Sequence, residues 1–446
     1  MPPKRAREPP CPPRPPEKKP DPAPAEKRRL SDKARRRIKR TLVGLAIALP
    51  VTLGILWYAA NHVPWFGAWM ADTLRSVIGT EGVADLEEMA YGVEDRWNRF
   101  WREGEKPKAY WQSPSGTNTA SAPAGSAGAG SAGAAPGTAA SAPSATGAPG
   151  APPPEEKRHF RPTEIGPYNS KYAAPGDGIW VPVPIEGFPE QDALFFKTLI
   201  HPDAKRPWAE VFVVAIDLRR AKVHSVAGTA EPKGTAPGAR ELKRTGLIPA
   251  EDMPSLVAGW NGGFKEEHGH YGMKIGGVLL VRPRIDGCTV AMQRTGELRI
   301  LPWKEAKDIE DTFEWWRQTP ACLLAGGKLH PGLYDENTNW GAALGGSTVV
   351  RRSAIGMDKT GETLFVAVSN HTSPRAIGVA MQHIGAVDAA QLDINYSYPR
   401  FVLFPRNEAG ERESVSLFEG FKVEKDDYVR EPNLRDFFYL TAPSSL

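Results

Sequence analysis

A long stretch without a charged side chain, residues 109–154, divides this 446-residue chain. From Ser113 onward it consists almost entirely of Ala, Gly, Ser, Pro and Thr, which offer no large side chains to pack. Such a composition is typical of a flexible linker. We therefore expect residues 113–155 to be a disordered tether and residues 160–446 to form the one large folded domain.

Charge is distributed unevenly along the chain. The formal net charge is +4, yet residues 1–40 carry a net charge of +10 and the remainder a net charge of −6. Residues 1–40 are also rich in Pro and lack apolar periodicity, which predicts a disordered basic tail. Because the folded part is mildly acidic, we expect no nucleic-acid partner.

An apolar run, Thr41–Ala60, contains twenty residues and no charge. Its helical length would match a hydrocarbon core of about 30 Å, so we predict a single transmembrane helix over 41–61 in contact with membrane lipid. Residues 27–40 hold nine Lys and Arg, whereas residues 61–74 hold none. The positive-inside rule then predicts a cytoplasmic N-terminus and a C-terminal domain outside a cell (inner) membrane, in the cell envelope.

The segment after this run, residues 62–112, is rich in aromatic residues. Its apolar spacing predicts two amphipathic helices, at about 66–79 and 82–103. We expect either a short helical stalk or a surface that binds membrane or a partner.

The fold predicted for 160–446 is α+β, with a mixed, largely antiparallel sheet and a few helices. A strand over 209–218 is expected to form a hairpin with 221–227. One helix is well signalled at 374–384, because Ser373 can cap it and Pro374 suits its first position. A second helix is expected at 303–317. The further predicted strands are 256–261, 273–281, 297–302, 346–357, 363–369 and 399–404.

The loop that begins at Asn261 is the first candidate for chemistry. It follows an apolar strand and reads Asn-Gly-Gly-Phe over Asn261–Phe264. A glycine pair lets a ligand approach the backbone, and Asn offers a donor and an acceptor to a sugar hydroxyl or phosphate oxygen. His268 and His270 follow, and imidazoles titrate near neutral pH. They predict proton transfer, although a solvated polar loop would have the same composition.

Two other polar residues interrupt apolar stretches. Arg352 lies inside the predicted strand 346–357, and a buried arginine needs an anionic partner. It is either a phosphate or carboxylate clamp or one half of a structural ion pair. Asp393 ends the apolar segment 385–393, where it is well placed as a general acid or base. An aspartate that merely starts a turn is the other interpretation.

Together these motifs resemble the phosphodiester glycosidase domain family over residues 205–405. The family's Asn-Gly-Gly-Phe-Phe loop is matched by Asn261–Phe264, with Lys265 in place of the second Phe. Four stretches follow in the family's order: a Gly-rich stretch at 272–277, Arg-x-Ala-x-Gly at 352–356, a helix, and Gly-Ala-x-x-Ala-x-x-Leu-Asp at 385–393. One departure is Ile394-Asn395-Tyr396, where the family has three glycines before Ser397.

The resemblance implies a hydrolase of glycosyl phosphodiesters or related envelope glycans, such as phosphodiester-linked N-acetylglucosamine. It implies that Asp393 is the general acid or base, that Arg352 binds phosphate and that His268 or His270 protonates a leaving group. The implied substrate-binding residues are Asn261, Gly262, Gly263, Phe264, Asn395 and Ser397.

The departure at 394–396 keeps a second function open. A β-branched residue is strained at the positive φ that glycine tolerates, so the loop must follow another path. The same domain would then be a catalytically inactive glycan-binding or envelope-assembly module, which retains a glycan without consuming it.

No cofactor and no metal ion are expected. Asp393 and Asn395 offer two oxygen ligands, fewer than the six to eight that Ca²⁺ takes. The three cysteines exclude a disulfide-rich scaffold. Cys288 and Cys322 are expected to be two free buried thiols, with a disulfide left open because their spacing does not fix their distance.

Overall fold

The computed structural model describes residues 66–111, 159–334, 340, 349–394 and 397–443, with scattered positions between 39 and 59. The predicted tail, apart from Lys39, and the predicted linker at 113–155 lie outside the described residues. The chain divides into two compact units after Gly79, and every strand named below lies in the second. That unit is a mixed, sheet-rich domain with antiparallel sheets and few helices.

The α-helices whose bounds the described residues define are α1 (Phe66–Trp101), α2 (Trp303–Ala306) and α3 (Pro374–His383). The strands are β1 (Val181–Val183), β2 (Phe195–Ile200), β3 (Val211–Asp217), β4 (Lys222–Val226), β5 (Leu256–Asn261), β6 (Met273–Ile275), β7 (Val278–Val281), β8 (Cys288–Gln293), β9 (Leu298–Pro302), β10 (Phe313–Thr319), β11 (Leu324–Ala325), β12 (Lys328–Leu329), β13 (Val350–Met357), β14 (Thr363–Thr372), β15 (Asp388–Gln391), β16 (Phe401–Leu403), β17 (Val415–Ser416) and β18 (Phe437–Thr441).

In the described residues these strands form three sheets. Their orders are β1-β2-β3-β14-β13-β15-β11-β12, β7-β6-β10-β8-β9 and β17-β16-β5-β18-β4. The main hydrophobic core joins all three, with Phe212 from the first, Trp315 from the second and Trp260 from the third. Burial of such large aromatic side chains supplies much of the driving force for folding.

The transmembrane prediction is wrong. Within the part of the chain that the structure describes, no helix combines the length and the apolar composition needed to cross a bilayer. The long helix α1 is interrupted at Gly79 (φ 77°, ψ 170°) and carries charged residues such as Glu94, Asp95 and Arg99. Part of 41–61 lies outside the described residues. The predicted single-pass inner-membrane localisation, with a cytoplasmic N-terminus, depended on that helix and is wrong with it.

The end of α1 and the residues after it pack on the sheet domain. Asp95 forms a bidentate ion pair with Arg206, at Oδ1–Nε 2.6 Å and Oδ2–Nη2 2.7 Å. The Tyr110 hydroxyl donates to Glu210 Oε1 at 2.7 Å. The Tyr110 ring also meets Phe212 edge-on, with centroids 4.8 Å apart. Residues 95–111 are therefore bound to the domain by charged and aromatic contacts.

Local sequence signals place α3 correctly. The Ser373 hydroxyl accepts the N–H of Ala376 at 3.2 Å, and Pro374 occupies the first turn. Such capping satisfies a backbone donor that the helix itself leaves unpaired. The helix packs Met381 against Gly356 of β13, where a Cβ would lie 2.5 Å from the Met381 methyl group. The Asp388 carbonyl oxygen would also lie 3.0 Å from that Cβ, so there is little room for a side chain at position 356.

Two expectations about pairing and helix extent are wrong. β3 and β4 do not form a hairpin, because β3 pairs with β2 and β14 whereas β4 pairs with β18. The helix expected at 303–317 ends at Ala306, and after a 3₁₀ segment β10 begins at Phe313. Trp315 and Trp316 belong to different cores, a placement that suits aromatic residues on a pleated strand.

A disulfide joins Cys288 to Cys322, with the Cα atoms 4.7 Å apart. The expectation of two free thiols is therefore wrong. The bond connects the start of β8 to the segment after β10 and closes a loop with a sequence separation of 34 residues. It holds together a part of the second sheet that also borders the main core.

Candidate functional site

The predicted glycine pair lies at the end of β5, where it contacts Asp436. The N–H of Gly262 donates to the Asp436 carbonyl oxygen at 3.0 Å, and the N–H of Gly263 donates to Asp436 Oδ2 at 2.9 Å. A Cβ at position 262 would lie 2.2 Å from Asp436 Oδ2, and one at position 263 would lie 2.7 Å from Arg317 Cζ. The close approach that requires these glycines therefore comes from protein groups.

Arg317 and Asp436 form a buried ion pair, with side chains 0% and 1% exposed. Arg317 Nε donates to Asp436 Oδ2 at 2.9 Å, and Nη2 donates to Oδ1 at 3.1 Å. The guanidinium also donates to the carbonyl oxygens of Phe264, Tyr271 and Gln318. This pair fixes the loop between β5 and β6 to the strand β18, because each N–H has an acceptor.

Asn261 and Asp393, which the sequence motifs selected separately, come together around Ser353. Asn261 Nδ2 donates to Ser353 Oγ at 2.8 Å, and Ser353 Oγ donates to the Asp393 carbonyl oxygen at 3.0 Å. The N–H of Asp393 donates to the Gly262 carbonyl oxygen at 3.0 Å. The ends of β5 and β15 are thus joined at this point.

The carboxylate of Asp393 forms an ion pair with Arg435, and both side chains are 3% exposed. The Arg435 guanidinium also lies over the Tyr398 ring, 3.9 Å from its centroid. We call Asn261, Ser353, Asp393 and Arg435 the Asp393 cluster. It supplies a negative charge and a buried cation in one part of the domain, and Tyr398 adds an aromatic face beside them.

His268 and His270 lie in the loop after Phe264 and differ in their surroundings. His270 has a positive φ of 54°, and its side chain is 67% exposed. Its Nδ1 lies 2.6 Å from Oε1 of the largely buried Glu266. His268 lies 3.8 Å from Glu267. A carboxylate bound to one ring nitrogen orients an imidazole, so His270 is better prepared for proton transfer than His268.

Glu231 binds the backbone of this loop, although no sequence motif pointed to it. Its Oε2 accepts the N–H of Glu266 at 2.9 Å and the N–H of Lys233 at 3.1 Å. Its charge also acts on Tyr398, whose pKa is raised to about 12, mainly by burial. Glu231 is 7% exposed, so a buried carboxylate supports the loop that carries His268 and His270.

Arg352 occupies the opposite face of β13 from Ser353. Its guanidinium donates to the carbonyl oxygens of Trp340 at 2.6 Å and Thr372 at 3.1 Å, and to Gln391 Oε1 at 3.0 Å. Arg352 is 1% exposed, and burial lowers its pKa to about 9. Successive strand residues point to opposite faces, so the structure does not bring Arg352 to the Asp393 cluster.

The remaining predicted residues have varied positions. Phe264 is 3% exposed, and its ring packs on Tyr271. Ser397 is exposed, and its carbonyl oxygen accepts a bond from Arg400 at 2.8 Å. Asn395 lies outside the described residues. Across the described ranges, no group of three or more His, Cys, Asp or Glu side chains is arranged to hold a metal ion.

Sequence reasoning missed Arg317, Arg435 and Asp436. The pair Arg435-Asp436 stands directly before the apolar strand β18, as Asn261 stands at the end of β5. A polar residue at a strand end was therefore a usable signal. Arg317 follows two tryptophans inside β10, and its neighbours in the sequence do not distinguish it from an exposed arginine in a strand.

No family model matches the chain, and no curated protein matches it. Among solved structures, the chain is similar to the catalytic domain of zebrafish N-acetylglucosamine-1-phosphodiester alpha-N-acetylglucosaminidase, auto-inhibited by pro-peptide. The identity is 17% and the TM-score 0.36, over 56% of this chain and 82% of that one. A hypothetical protein from Synechocystis is similar at 12% identity and a TM-score of 0.36, over 56% and 62% of the respective chains. The similarity is a distant structural one and carries no conclusion about activity.

Proposed function

We propose that this chain hydrolyses the glycosidic bond of a glycosyl phosphodiester. Water would add to the anomeric carbon, and the bond from that carbon to the phosphate oxygen would break. The products are a sugar with a free anomeric hydroxyl and a phosphomonoester that keeps the bridging oxygen. The observation that carries the proposal is the meeting of Asn261 and Asp393 around Ser353, because both were selected from the motifs of the resembling family.

Asp393 would act as an ionised carboxylate. The adjacent Arg435 guanidinium supports that state, since an opposite charge favours the charged form of an acid. An ionised carboxylate can serve as nucleophile or stabilise the positive charge that develops on the sugar ring. A general acid must carry a proton instead, so this role suits another group.

His270 is the better candidate for proton transfer. Glu266 holds one of its ring nitrogens at 2.6 Å, and its side chain is accessible to solvent. A departing phosphomonoester is already a stable anion, so the reaction needs little acid assistance. We therefore expect loss of His270 to lower turnover less than loss of Asp393.

A glycan-binding module is the second candidate, and burial favours it. Asn261 is 2% exposed, and its amide already bonds Ser353 and the backbone of Gly262 and Arg400. The Asp393 side chain is 3% exposed and paired with Arg435. Groups that satisfy one another inside the protein can build a rigid platform for a ligand without reacting with it.

The test is turnover of a chromogenic N-acetylglucosamine-1-phosphodiester by the full-length chain. Asp393→Asn keeps the shape of the side chain and removes its charge, and we expect turnover to fall by at least about a hundredfold. Asp388→Asn is the matched control at the other end of β15, where the carboxylate accepts the N–H of Gly326.

Equal turnover by wild type and Asp393→Asn would contradict the proposed role of Asp393. A folded wild-type chain that retains N-acetylglucosamine-phosphate on a column but does not cleave it would favour the binding module. Loss of turnover in both Asp variants would indicate a general effect of changing β15.

A further inference from the structure

Four arginines lie within or next to the Asp393 cluster and the Arg317–Asp436 pair, and one of them differs from the others. Three hold a carboxylate: Arg317 holds Asp436, Arg400 holds Asp427 and Arg435 holds Asp393. Arg244 makes no ion pair with any residue that the structure describes, and its Nε donates to the carbonyl oxygen of Gly228. It is the cation of this group that no carboxylate neutralises by direct contact.

Arg244 lies beside the Asp393 cluster. Gly228, which accepts the hydrogen bond from Arg244 Nε, packs closely on the backbone of Arg435. A Cβ at position 228 would lie 2.3 Å from the Arg435 carbonyl carbon. The charges of Asp436 and Glu231 also act on Arg244, so those carboxylates are near although not bonded to it.

The Arg244 guanidinium has an unused donor. Its Nη2 atom is buried and has no hydrogen-bond partner among the residues that the structure describes. A buried N–H without an acceptor costs free energy, and a charged donor costs more than a neutral one. Burial also lowers the pKa of Arg244. An incoming acceptor that carries negative charge would relieve this cost.

Glu231 is not the acceptor for Nη2 of Arg244. Its Oε2 is occupied by the N–H groups of Lys233 and Glu266, which balance part of its charge. No ion pair joins it to Arg244 within the described residues, so Glu231 does not neutralise Arg244 by direct contact.

We propose that Arg244 binds an anionic phosphate oxygen of the ligand at the Asp393 cluster. This rests on the proposed function and deepens it, because it names the side chain that recognises the negative charge of the phosphodiester. It also assigns to Arg244 the role that the sequence motif gave to Arg352. A guanidinium suits this role because its planar N–H groups match the spacing of phosphate oxygens.

The experiment is calorimetric titration of the full-length chain with inorganic phosphate at constant ionic strength. Arg244→Gln should weaken phosphate binding by at least about tenfold, since a charge-assisted bond is lost. Arg240→Gln is the matched control, four residues earlier and exposed, and should bind as wild type does. Thermal unfolding of each variant verifies that it is folded.

A second measurement needs no variant. Phenylglyoxal modifies accessible arginines, and mass spectrometry reports each site. Inorganic phosphate should slow modification of Arg244 and leave Arg240 unchanged. Unaltered phosphate binding in folded Arg244→Gln, absence of phosphate binding in wild type, or equal modification of Arg244 with and without phosphate would each overturn the proposal.

These results separate the two proposals. Phosphate binding that depends on Arg244, without turnover of any glycosyl phosphodiester, would support the anion site and contradict the hydrolase. Turnover that inorganic phosphate inhibits equally in wild type and Arg244→Gln would support the hydrolase and contradict the anion site.

Discussion

Replacing Asp436 by Asn should strongly destabilise the domain. The carboxylate accepts three N–H groups: Nε and Nη2 of Arg317 at 2.9 and 3.1 Å, and the N–H of Gly263 at 2.9 Å. An Asn carboxamide has one acceptor oxygen, and its NH₂ group would face a donor. The Arg317 side chain is 0% exposed, so its charge would remain buried without a counterion. Removing one partner of such a pair costs about 3–5 kcal/mol.

Urea unfolding of the full-length chain at pH 7 measures this cost, and Arg317→Met should give a similar value. The double variant should lose less than the sum of the two, by about 2 kcal/mol or more, because no buried charge is then left alone. Asp286→Asn is the control, since the Arg284–Asp286 pair has the same geometry but is 41% and 59% exposed. That variant should lose less than about 1 kcal/mol. Equal losses for Asp436→Asn and Asp286→Asn, or strict additivity in the double variant, would refute the reasoning.

Three further changes test the packing and electrostatics. Gly263→Ala should destabilise the domain by about 1–3 kcal/mol, because its Cβ would lie 2.7 Å from the hydrogen-bonded Arg317 guanidinium. Gly92→Ala in α1 is the control, since its Cβ would meet no atom within 4 Å, and it should not destabilise. Thermal unfolding compares the two variants. Cys322→Ser breaks the disulfide with Cys288, whose sequence separation is 34 residues, and should lower the free energy of unfolding in urea by about 2–4 kcal/mol. An unchanged free energy of unfolding would show that the two thiols are not bonded in solution. Burial lowers the pKa of His371 to about 4, below its value of about 6.5 in the unfolded chain. The stability that the neutral imidazole contributes is therefore present above pH 6.5 and is lost as the pH falls toward 4. In His371→Gln, the free energy of unfolding should change by about 2–3 kcal/mol less than in wild type between pH 6.5 and pH 4. The same pH dependence in both proteins would contradict this.

Local signals in the sequence sufficed for elements whose cause is local. The strand at 256–261 and the helix after Ser373 were predicted because apolar spacing and capping residues depend on near neighbours. Asn261 and Asp393 were selected as polar residues at strand ends, and the structure brings them together.

Features that depend on distant residues escaped prediction. The pairing of β3 with β14 and the Arg317–Asp436 ion pair join positions more than 100 residues apart. Arg352 shows the limit most clearly. The sequence motif assigned Arg352 to a phosphate, yet its guanidinium donates to Trp340, Thr372 and Gln391 on the α3 side of β13. The apolar strand around Arg352 indicates that it is buried, but its partners come from other segments, so the strand alone does not show on which face of β13 they lie.

The central claim is that this chain breaks the bond between the anomeric carbon and the phosphate oxygen. The most direct measurement is hydrolysis of an N-acetylglucosamine-1-phosphodiester by the full-length chain in ¹⁸O-labelled water, with mass spectrometry of both products. We expect the label at the anomeric hydroxyl of the sugar and none in the phosphomonoester. Label in the phosphomonoester, or an intact substrate with a folded chain, would contradict it.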